Sequence, residues 1–95
     1  MVMTAIKLER QRQEKAAGTR FRHTLASNKL HDSDRLALLT RELGEVAQAT
    51  NLPATDLRPE LLEKQHAVLL RDELIQVAAL AVAWVEHLDC HVLGR

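Results

Sequence analysis

Apolar residues in the second half of this chain recur with the period of a helix that buries one side. Leu36, Leu39, Leu43, Val46 and Ala47 form one such stripe, which is the expected core face of a helix. A second row runs beside it through Leu38, Glu42, Glu45 and Ala49, spaced i, i+4, i+7 and i+11 and therefore along one edge of the same helix. Further on, Leu69, Glu73, Gln76, Leu80 and Trp84 repeat the arrangement. In both rows carboxylates or amides share a face with leucine and alanine instead of opposing them.

Punctuation divides the chain into three helices. Residues 4–17, "TAIKLERQRQEKAA", are good helix formers, with Thr4 an expected N-cap and Gly18 an expected stop. The stretch 18–32 lacks a clear period and reads mostly as loop. Asp32, Ser33 or Asp34 can cap a second helix running to about Thr50. Asn51 and Pro53 end it, and "NLPATDLRP" is the connector. Pro59 fits the first turn of a third helix, unbroken from Glu60 to about Leu88.

Composition agrees. The 95 residues make one domain, 1–95, 46% hydrophobic but with Phe21 and Trp84 as the only aromatics. A core of Leu, Val and Ala suits closely approaching helices better than a sheet. The expected fold class is all-α, with the second and third helices packed antiparallel. Residues 74–85 are apolar almost all round, which a chain of this length cannot cover alone. A helical bundle completed by homodimerisation is therefore expected, with pairing into a tetramer as an extension.

Net charge is zero but unevenly placed. Residues 1–30 carry seven Lys/Arg against Glu9 and Glu14, and the remainder carries the compensating acidic excess. That division fits either a phosphate-binding face beside a cation-binding face or two solvated surfaces that attract one another across a dimer. Cys90 is the single cysteine, so an internal disulfide is excluded and a reducing cytoplasm is the simplest location. No apolar leader is seen at the N-terminus, and the apolar run 74–85 is too short to span a bilayer. Nucleic-acid binding is disfavoured because Phe21 is the one aromatic residue in the basic segment, too few to interleave it.

The chemistry lies in the two mixed rows. Acids three apart on a helix can converge on one ion. Two such pairs on neighbouring antiparallel helices would make an oxygen-lined pocket of the kind a hard divalent cation takes. An isolated ExxE is common on solvated helices and selects no metal by itself; the paired occurrence carries the argument.

"LTRELGEVAQA" followed by "LRDELIQVAALAVAWVEHL" resembles the MazG-like branch of the all-alpha nucleotide pyrophosphohydrolases, and "LERQRQEKAAGTRFRHT" is similar to that branch's N-terminal helix and loop. The resemblance covers most of the chain. It implies Mg²⁺-dependent hydrolysis of a nucleoside triphosphate to monophosphate and pyrophosphate, with Mn²⁺ as an alternative ion. The family's ExxE falls on Glu42 and Glu45, and its ExxD on Glu73 and Gln76. On that basis Glu42, Glu45, Glu73 and Gln76 would hold the metal, with Glu42 or Glu45 orienting the attacking water. Arg10, Arg12 and Lys15 are the expected contacts for the triphosphate. Two positions depart from the pattern: Arg41 stands where the family often has a further acid, and Gln76 replaces the final Asp. An amide oxygen can ligate a cation but brings no charge and accepts no proton. A nucleotide- or metal-binding relative without catalysis is therefore one alternative, and a helical interaction module without a ligand is another.

His87 and His91 have zinc-ligand spacing with Cys90 between them, but no further ligand is apparent, and an incidental role is expected. Trp84 is expected in the core or at an interface.

Overall fold

The computed structural model describes residues 1–20, 29–50 and 59–95, with side chains at 1–17, 29–50 and 63–95. Three α-helices account for nearly all of it, and no strand occurs among the described residues. They are α1 (Val2–Arg20), α2 (Asp32–Thr50) and α3 (Pro59–His87), followed by one turn of π-helix, Leu88–Val92.

The helix ends follow local chemistry. α1 begins before Thr4 and continues past Gly18, so neither residue acts as a boundary. One glycine inside a helix costs only about 1 kcal/mol relative to alanine, which α1 absorbs. At α2 the residue outside the first turn is His31, and none of the three expected caps occupies that place. Asp34 instead reaches back to accept a hydrogen bond from the His31 backbone N–H at 3.0 Å. That is the return half of a capping box. Pro59 opens α3, where its missing N–H is no loss. In the π-turn Leu93 N–H donates to the Leu88 carbonyl at 2.8 Å, and Gly94, at φ +68°, supplies the left-handed residue that ends the run. The expected loop at 18–32 is thus α1 as far as Arg20, with residues 21–28, like the connector 51–58, outside the described residues.

α2 and α3 pack antiparallel. The Trp84 ring N–H donates to Asp32 at 3.0 Å at one end of the pair. At the other end His66 Nε2–H donates to the Ala49 carbonyl at 2.6 Å. α1 lies on α3, tied by the Arg10 guanidinium, whose Nε and Nη2 donate to the two Glu86 oxygens at 3.2 Å each. Gln13 Nε2 adds a bond to the Gln76 carbonyl at 3.0 Å.

The buried apolar residues among those described are Ala17, Leu30, Ala49, Ala79 and Ala83; Ala17, Leu30 and Ala83 form one cluster, against which Leu38 and Leu80 pack partly buried. Alanine at the seam lets helix backbones approach closely but buries little area per residue. The face of α2 that turns inward differs from expectation. Leu36 and Leu43 are 55% and 49% exposed and Ala47 is exposed, whereas Leu38, Glu42, Glu45 and Ala49 face α3. The row that carries the acids is the core face, and much of the anticipated leucine stripe points outward.

Candidate metal centre

Glu42 and Glu45 sit one turn apart on the inward face of α2, and Glu73 meets them from α3. Each offers one carboxylate oxygen, and the three oxygens lie within 4.8 Å of one another. Glu42 is buried at 8% exposure, while Glu45 and Glu73 are half-buried. One oxygen of Glu42 (Oε2) and one of Glu73 (Oε2) are fully enclosed with no hydrogen-bond partner. A buried carboxylate oxygen without a donor is costly, and here two occur in one cluster.

The electrostatics follow. Burial pushes the Glu42 carboxyl above the ordinary range, and the neighbouring Glu45 and Glu73 push the same way; Arg41 opposes them. Glu73 is also raised, first by burial, then by Glu45, with Asp72 and Glu9 adding repulsion. Arg41 Nη2 lies 3.5 Å from the other Glu42 oxygen, Oε1. Arg41 therefore offsets charge at the rim and leaves the inner oxygen, Oε2, unpaired.

Glu9 of α1 is a participant that motif reading missed. Its side chain is mostly buried, its charge acts on Glu73, and it holds Arg12 through Nε at 2.9 and 3.0 Å and Nη2 at 2.5 Å. The signal existed: Ala5, Glu9, Gln13 and Ala17 form an i, i+4 row that mixes polar and small residues as α2 and α3 do. Arg12 is held in its charged form first by Glu9, and Glu42 adds to the effect from across the cluster.

The other expected site residues divide. Arg12, with Arg71 and Gln76, lines an open cleft of about 420 Å³ between α1 and α3, walled by Leu8 and Ile75. Arg10 is buried, and the Glu86 and Glu14 carboxylates take its guanidinium, so it joins helices and is not directed to the acids. Lys15 is exposed on α1. The His87 and His91 rings meet at a tilt of 40° with centroids 5.4 Å apart, and Cys90 is a free, exposed thiol. The one metal-competent group of three or more His, Cys, Asp or Glu among the described residues is the glutamate cluster.

The cluster fits a divalent cation. Octahedral Mg²⁺ with oxygen at about 2.1 Å holds adjacent ligands about 3 Å apart, so the three carboxylates, whose oxygens lie within 4.8 Å of one another, would draw together by up to about 2 Å to share one ion. Three protein oxygens would leave about three positions of such an ion for other ligands. No helix among the described residues is long and apolar enough to cross a membrane. Comparison with known proteins gives no match: no family model, no curated protein and no solved structure corresponds to this chain.

Proposed function

We propose that the chain is a divalent-cation-dependent hydrolase of nucleoside triphosphates, releasing monophosphate and pyrophosphate, with Mg²⁺ or Mn²⁺ held by Glu42, Glu45 and Glu73. The observation that carries this reading is the pair of enclosed, partnerless oxygens in a three-carboxylate cluster, because a cation resolves both their mutual repulsion and their unmet coordination. The paired motif spacing supports it independently.

When bound, the ion would supply charge to phosphate oxygens and to a water. Glu73 from α3 and Glu45 from α2 would hold it from opposite helices. Glu42, most buried and raised in proton affinity, suits the role of orienting that water and accepting its proton. Arg12, aligned by Glu9, stands where the cluster meets the α1–α3 cleft and would steady a ligand that spans the two.

The active form is a homodimer in this proposal. Leu36, Leu43, Leu74, Val82 and Val85 are exposed on α2 and α3, and no large side chain among the described residues is fully buried. A second copy would cover what one chain leaves open.

A panel of nucleoside triphosphates assayed for Mg²⁺-dependent pyrophosphate release tests the activity. Release from at least one substrate, lost in Glu45→Gln, is expected. If nothing is hydrolysed, nucleotide-dependent thermal stabilisation separates a binding protein from an interaction module.

A further inference from the structure

We infer that the α1–α3 cleft receives the base of the nucleotide and that Gln76 reads its edge; this rests on the nucleotide reading above. The cleft, of about 420 Å³, is the size of a small-ligand site. Its charges cancel. Arg12 is bonded to Glu9, and Arg71 Nη1 lies 3.6 Å from Asp72, so two cations and two anions line one opening. A balanced lining gives a phosphate group no net attraction but suits an uncharged, dipolar ring. Leu8, 60% exposed, and Ile75 supply apolar walls, and the guanidinium planes of Arg12 and Arg71 can stack on an aromatic face.

Gln76 adds direction. Its amide carries a donor and an acceptor side by side, the complement of the paired donor and acceptor on a nucleobase edge. Its own carbonyl is taken by Gln13, which fixes the backbone at this position of α3. The cleft and the acid cluster are neighbours: Glu9 and Arg12 line the cleft, and their charges act on Glu73 and Glu42. One ligand can therefore lay its phosphates at the carboxylates and its base beside Gln76. On this assignment the neutral residue at 76 is a specificity-determining residue and not a weakened cation ligand.

The test compares wild type, Gln76→Leu and Gln76→Glu by calorimetry, titrating Mg²⁺ alone and then AMP, GMP, CMP and UMP with Mg²⁺ present. Leucine matches the half-buried setting, and the Gln13 bond survives because it goes to the backbone. Wild type should prefer one base. Gln76→Leu should weaken that nucleotide about tenfold and level the ranking, with Mg²⁺ affinity unchanged within about twofold. Gln76→Glu keeps the shape, exchanges a donor for an acceptor, and should reorder the ranking. An unchanged ranking in both variants overturns the inference. So does a loss of Mg²⁺ affinity in Gln76→Leu, which would put residue 76 in the cation's shell. If no pyrophosphate is ever released but the ranking responds to residue 76, the hydrolase reading fails and the base site stands.

Discussion

Replacing Glu45 by Gln separates a cation pocket from a solvated helix surface, because only the pocket predicts a gain in stability without metal that turns into a loss with it. The ligand oxygens of Glu42, Glu45 and Glu73 lie within 4.8 Å of one another. Two unit charges at that separation repel by about 3.5 kcal/mol at an effective dielectric of about 20, and by about 0.9 kcal/mol in water. Glu45 is half-buried and takes part in two of the three repulsive pairs, while proton uptake by Glu42 and Glu73 limits how much repulsion the folded state carries. The amide that replaces it can donate a hydrogen bond to one of the orphaned oxygens. Without metal, Glu45→Gln should therefore gain about 1–2 kcal/mol, raising Tm by several degrees for a chain of this size. With Mg²⁺ the order should reverse, since one of three anionic ligands is gone; ion affinity should fall at least about tenfold and turnover should vanish. Thermal denaturation in EDTA and in saturating Mg²⁺, with calorimetry for the ion, measures both effects. A change under about 0.5 kcal/mol with metal response intact would refute the pocket.

Three further outcomes are expected. Glu42 and Glu73 have raised folded-state proton affinities, so their contribution to stability is full in acid and is lost as pH climbs through the raised values. Urea unfolding of the metal-free protein from about pH 4 to about pH 8 should lose stability over that rise; saturating Mg²⁺ should recover it, and Glu42→Gln should flatten the slope. Ala79 is fully buried between helices, so Ala79→Leu should cost about 1–3 kcal/mol in chemical denaturation; a neutral result would mean the seam is loose. Light scattering at micromolar concentration should give about twice the chain mass of 10.7 kDa, and Leu43→Asp should shift it toward one chain; a wild-type monomer would defeat the dimer.

Helix placement was largely legible because its signals are local. Pro59 can open a helix but not continue one, and the acids at 32–34 mark where α2 begins, although Asp34 works by reaching back and not as the cap itself. The orientation of α2 was not legible in the same way. Its sequence carries two adjacent stripes with one period, and the apolar rule selects the leucines. Which stripe turns inward depends on what the partner helix presents, and α3 presents Glu73 to the acids of α2 and packs Leu80 in the cluster that also takes Leu38. The convergence of Glu42, Glu45 and Glu73 followed from spacing plus antiparallel packing. Glu9 escaped because the acid its charge acts on, Glu73, lies in another helix, and the row it belongs to in α1 holds no second carboxylate. Arg10 misled for the converse reason: a basic residue near a proposed anion site has the same composition whether it meets a ligand or, as here, Glu86.

Trp84 is the chain's one tryptophan, and its ring N–H is bonded to Asp32 at the start of α2. The molecule thus carries a single intrinsic fluorophore on the α2–α3 seam, at the end away from the His66–Ala49 bond. Parting of that end would hydrate the indole and shift its emission to the red, while rearrangement confined to the α1 cleft would leave the emission maximum in place. The same optical signal can therefore time separation of the two acid-bearing helices against occupation of the cleft, with no label added.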